Sequence, residues 1–197
     1  MKIIFILFII LFSSINAKSQ DIFEYKIKLL GIPVANCLVD YTDTIIANIN
    51  YKKLNYRVLT TPFIDRMFKI DNHYTVIINK TDYSTIYYNK KSYQPNVVNN
   101  ISAKLIDDRL KYDNSKISIN KNDFNIFTVL YLFHLGKIDD LKKINHIERE
   151  GKYYYFNIKE IKTNQFDLYL KEIDNKENGV IKDTDIFLWG LFLDNSD

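Results

Sequence analysis

A single cysteine, Cys37, stands in 197 residues, alongside five glycines, three prolines and one tryptophan. One cysteine closes no internal disulfide, so burial must hold the fold without covalent staples. Cys37 lies between Ala35 and Val39, in the pattern of a small core residue; a reactive or intermolecular thiol is the alternative. The scarcity of glycine excludes more. None of the five glycines flanks a serine in the G-x-S-x-G elbow that lifts a nucleophile, and no phosphate-cradling glycine loop is present. The three histidines, His73, His134 and His146, lack the i, i+4 spacing that places two imidazoles on one helix face for a metal. Beyond the N-terminus no apolar run approaches the roughly 20 residues of a spanning helix.

Charge of one sign is lacking as well. A net charge of +3, spread along the chain, gives neither a nucleic-acid footprint nor a polybasic membrane patch. The pairs Lys52-Lys53, Lys90-Lys91 and Lys142-Lys143 read as solvated faces. Asp107-Asp108 and Asp139-Asp140 fall in polar connections, and acid–base work needs a shaped, partly dry cleft. Residues 174–185 come nearest to a calcium loop, with Asp174, Asn178, Gly179, Ile181 and Asp185 in suitable positions. Lys176 occupies the third position, where an oxygen ligand is required, so a turn with solvated charges is the reading. The residues therefore nominate no catalytic set, no metal ligands and no cofactor. An enzymatic reading needs Cys37, His73 or His146 clustered in a cleft.

What is present starts at the N-terminus. Lys2 precedes an unbroken run of Ile, Phe and Leu from Ile3 to Phe12, which exits into Ser13-Ser14. This is the layout of a secretory signal peptide, cut after Ala17 or Ser19. The expectation is a signal at residues 1–19, a single β-rich domain over 20–197, and a periplasmic or extracellular location.

Aromatic residues make up 15% of the chain, fifteen of them tyrosine, and many fall at alternate positions. Phe23, Tyr25, Ile27 and Leu29 alternate with Glu24, Lys26 and Lys28, the period of a half-buried strand. Gly31-Ile32-Pro33 breaks the run, and residues 34–41 resume it. Further extended runs cover 45–51, 56–60, 74–79 and 83–88, with one helical turn or bulge over 62–68. Residues 89–122 read as long polar connections with one or two weak strands, such as 116–119.

One helix runs from Asn122-Asp123 to Gly136, with Phe124, Phe127, Leu130, Tyr131 and Leu135 at helical spacing. His134, inside it, reads as a hydrogen-bonded core residue. A hairpin over 152–161 and 165–173 follows, then a last run holding Trp189. The fold expected is α+β, mainly β: a strongly curved antiparallel sheet, a half-barrel or open barrel, packed around one apolar helix. The aromatic residues either fill that core or line a pocket for a lipid-like ligand.

Several of these landmarks together resemble an exported bacterial family known as domain of unknown function three-one-zero-eight. They are residues 25–35, with Gly31-Ile32-Pro33 between two strands; Phe68 and Asp71 in the stretch 63–74; the helix with Leu130-Tyr131; and the strand around Trp189. The family often has Arg where this chain has Phe133, and it continues past the tryptophan strand, which implies a chain shortened at its C-terminus. The resemblance implies an envelope location and a curved β-fold like that of periplasmic lipoprotein carriers, and it supplies no catalytic residues. The function expected is non-enzymatic: a periplasmic or envelope protein binding an apolar, lipid-like ligand. The alternative is an envelope assembly factor acting through protein contacts.

Overall fold

The computed structural model describes residues 21–29, 32–95, 97–113, 115–162, 165–173 and 193–194. The signal segment, Gly31, the stretch 174–185 and Trp189 lie outside the described residues.

The chain is mainly β, and its first eight strands form an antiparallel meander. Asp21–Leu29 (β1), Ile32–Ile46 (β2), Ile49–Thr60 (β3), Asp71–Asn79 (β4), Thr85–Gln94 (β5), Val97–Ile106 (β6), Arg109–Tyr112 (β7) and Ser118–Asn120 (β8) pair in sequence order. A helical turn, Pro62–Asp65 (α1), follows β3, with Pro62 placed where a missing N–H costs nothing. Ile126–His134 (α2) and Ile138–Leu141 (α3) come next. A second sheet holds His146–Arg149 (β9), Lys152–Lys162 (β10), Gln165–Glu172 (β11) and Leu193–Asp194 (β12). Neither sheet closes on itself among the described residues. No helix among them is long and apolar enough to cross a membrane.

Alternation sets which face is buried. Ala35, Cys37, Val39 and Tyr41 of β2, Leu54, Tyr56 and Val58 of β3, and Tyr74, Val76 and Ile78 of β4 all point to one core. Helix α2 covers that face. Phe127 lies with its ring centroid 4.8 Å from Tyr56, 4.9 Å from Tyr74 and 6.2 Å from Tyr88, while Tyr131 meets Tyr41 edge-on at 4.9 Å. The Tyr56 hydroxyl donates to the Phe127 carbonyl at 3.2 Å. Between sheet and helix these strand tyrosines are buried and pack on one another and on α2.

The helix is shorter than its sequence pattern. Asn125 caps it, accepting from the Phe127 N–H at 3.0 Å, so Asn122 and Asp123 precede it. At the other end Gly136 takes φ +68°. The Gly136 N–H meets Phe133 O and the Lys137 N–H meets Leu132 O, the paired bonds of a Schellman stop. His134 is exposed at this last turn and lies against the Phe23 ring, 4.2 Å between centroids. It is not the hydrogen-bonded core residue that its place in an apolar helix predicts.

Two strand predictions also need correction. Residues 45–51 are not one strand: Ala47 and Asn48 turn the chain with φ of 48° and 65°, the primed geometry of a tight hairpin. The polar region 89–122 holds the rest of β5, all of β6 and β7, and β8. Asp107-Asp108 is the β6–β7 turn, with φ of 53° and 59°. Its carboxylates pair with Lys111 at 3.0 Å and Lys121 at 2.6 Å.

Candidate functional site

Two constellations of polar side chains stand out, one sealed and one open. The sealed one explains how a polar strand comes to be buried. Lys90 points inward from β5 and is fully buried; its Nζ lies 2.7 Å and 3.0 Å from the two carboxylate oxygens of Glu150. The Tyr88 hydroxyl donates to the same carboxylate at 2.7 Å. Glu150 and Gly151, with φ of 52° and 86°, form the β9–β10 turn, which presses into the first sheet. Next to it, Glu148 accepts from the Tyr112 hydroxyl, from Asn125 Nδ2 at 2.8 Å and from the Gly151 N–H at 2.9 Å. Burial pushes the Glu148 carboxyl upward, against the pull of those three donors. Removing one partner of such a buried pair would leave an uncompensated charge in the core, which is strongly destabilising.

The open constellation starts from the chain that precedes α2. The Phe124 carbonyl accepts from the Glu148 N–H at 2.8 Å, and Asn125 bridges Glu148 in parallel. That seam sets Asp123 against the β9–β10 hairpin. Asp123 Oδ2 accepts from the Tyr153 hydroxyl at 2.7 Å, and Oδ1 lies 3.2 Å from His146 Nε2. Partial burial, then the Asp123 carboxylate, raises the Tyr153 hydroxyl above its ordinary value. An imidazole held through Nε2 leaves Nδ1 to a ligand, as acceptor when neutral and as donor when protonated.

Asp123 and His146 edge a cleft of about 410 Å³. Its floor is apolar: Leu132 is buried, and Tyr83, Phe124 and Ile144 are partly buried against the core. Its rim is polar, with Lys143, Asn145 and His146 exposed. Lys137 braces the Tyr83 side, with its ammonium 4.7 Å from the ring centroid and hydrogen-bonded to the hydroxyl. Among the described residues its lining holds neither serine nor cysteine.

Cys37, His73 and His146, on any one of which an enzymatic reading could rest, lie in three separate places. Only His146 reaches this cleft. Cys37 sits buried in the inner face of β2, where burial pushes its thiol up to about 12. His73 lies on the outer face of β4, 2.8 Å from Asp71. Asp71 is itself held below the carboxylate range, first by the two-pronged contact of Arg57 at 2.9 and 3.0 Å. That outer face carries a second depression of about 340 Å³. The sequence reading missed Asp123 and Tyr153: Asp123 resembles a helix start, and Tyr153 is one of several consecutive aromatic residues. Compared with protein-family models, curated proteins and solved structures, the chain matches none.

Proposed function

We propose that this is an exported, non-enzymatic binding protein whose cleft beside α2 takes a small amphiphile. The apolar part lies on Tyr83, Phe124, Leu132 and Ile144, and the polar end meets His146 and Asp123. The observation that carries the reading is the cleft itself: an apolar floor of ligand size with a few oriented polar groups at one edge. Export is supported by Lys2, the apolar run and the small-residue exit at residues 1–19. A strongly curved sheet around α2 belongs to the same reading. Its support is that tyrosines from four successive strands, Tyr41, Tyr56, Tyr74 and Tyr88, all meet that one short helix.

The test is native mass spectrometry of the mature protein purified gently from an envelope fraction, with organic extraction of what accompanies it. A recurrent small adduct is expected. The partly exposed Ile144→Trp variant fills the floor and loses the adduct. His146→Ala weakens displacement of a fluorescent amphiphile by about tenfold, the worth of one oriented hydrogen bond. A clean apo mass with no amphiphile binding removes the reading. A second reading, docking of an envelope protein by strand addition, is favoured by the place of β1 at the edge of the described sheet, where Ile22 and Tyr25 are exposed. Pull-downs from envelope extracts that recover no specific partner remove that one.

A further inference from the structure

The loop after β3 is tied down firmly yet presents its largest apolar side chains to solvent. The Thr61 N–H donates to Val34 O at 3.0 Å and its hydroxyl to Pro33 O at 3.4 Å, which docks the loop on the start of β2. Within it, the Thr60 hydroxyl donates to Asp65 Oδ1 at 2.9 Å, and the Ile70 N–H donates back to Thr60 Oγ1 at 3.0 Å. Ile70 is buried and Phe68 packs against the core, so the loop is anchored from inside.

Phe63 and Met67, four residues apart, are nonetheless 72% and 80% exposed. Ile32, at the start of β2 where the loop is docked, is 61% exposed. The loop's one acid, Asp65, is held inward by Thr60, whereas Arg66 and Lys69 are exposed. The outward surface is therefore apolar and cationic at once.

We propose that this loop docks the protein on an anionic phospholipid surface, with Phe63 and Met67 entering the interface and Arg66 and Lys69 among the head groups. Charge complementarity favours lipid, since each basic residue near an anionic bilayer is worth about a fivefold gain in partition. Size favours it too. Two or three protruding side chains fall far below the roughly 800 Å² that each partner of a stable protein interface buries, but suffice for a reversible interfacial contact. This inference does not depend on what the cleft binds.

Co-flotation of the mature chain with phosphatidylcholine vesicles, with and without phosphatidylglycerol, tests it. Flotation only with phosphatidylglycerol, weakened by added salt, is expected. The double variant Phe63→Ser/Met67→Ser changes only exposed positions and should lower partition by about tenfold. A Phe63→Trp variant should shift its added emission to the blue on the anionic vesicles alone. The proposal is overturned if the double serine variant floats as well as the parent, if the parent floats with neither vesicle, or if the new tryptophan stays in water while the protein floats. Capture of an acidic protein partner through Phe63 and Met67, without flotation, likewise overturns it.

Discussion

Glu148 shows how one buried side chain carries two consequences. It accepts from Tyr112, Asn125 and Gly151, so it joins β7, the cap of α2 and the β9–β10 turn at one carboxylate. Burial raises its carboxyl above the ordinary 4.5, so from that value upward the native chain holds a proton that the unfolded chain has released. Its contribution is complete below pH 4.5 and is lost as pH rises through the raised native value. Glu148→Gln keeps an oxygen for Tyr112 and Gly151 but sets an amide N–H₂ against Asn125 Nδ2. Asn125 cannot turn over without giving up its bond to Phe127 N. The variant is expected to lose about 1–3 kcal/mol from two opposed donors and to lose this pH-dependent part. Denaturant melts at several pH values read both: the gap between parent and variant should be widest in acid and narrow as pH rises. A gap that stays constant with pH contradicts the raised carboxyl.

At the scale of elements, two glycines do the same backbone job in different surroundings. Gly136 ends α2 at φ +68°, and a methyl group added there would meet nothing within 4 Å. At Gly151, φ +86°, the same added carbon would lie 2.7 Å from Ile117 Cγ2. Gly136→Ala should therefore cost about 1–2 kcal/mol, the left-handed penalty alone. Gly151→Ala adds overpacking against Ile117 and should cost about 2–4 kcal/mol. Equal shifts in denaturant midpoint would show that the β9–β10 turn gives way freely. The same turn explains where the sequence was legible. The strands β1 and β2 were readable because their inward positions are apolar, as at Phe23, Ile27, Val39 and Tyr41. The latter half of β5 was not, because its inward positions are Lys90, Ser92 and Gln94, and Lys90 is accommodated by Glu150, sixty residues on. Ala47-Asn48 escaped notice because isoleucine flanks it on both sides and neither residue is glycine. The cleft was illegible for a related reason. Asp123, His146 and Tyr153 come together only when the chain before α2 is hydrogen-bonded to β9.

For the molecule as a whole, the open question of energetics is whether the first sheet opens piecemeal or with the rest. Without disulfides, every strand depends on the shared core, and Cys37 reports on it from within. It sits opposite Val58 of β3 and Tyr25 of β1, on the face that α2 covers. Its thiol is buried and pushed up to about 12, so thiolate forms in solution only after exposure. Alkylation of the native protein is then governed by opening. If β1 to β3 open only with the whole core, the free energy obtained from labelling rates equals that from denaturant unfolding, and both fall together in Gly151→Ala. β1 is an edge strand in the described sheet, however, and Cys37 lies only one strand in. Labelling faster than global unfolding, and unchanged by Gly151→Ala, would show that β1 detaches on its own and uncovers the inner face of β2. Such a detachable edge is also what strand addition by a protein partner requires, so one cysteine measurement bears on both the cooperativity of the fold and the second reading of its function.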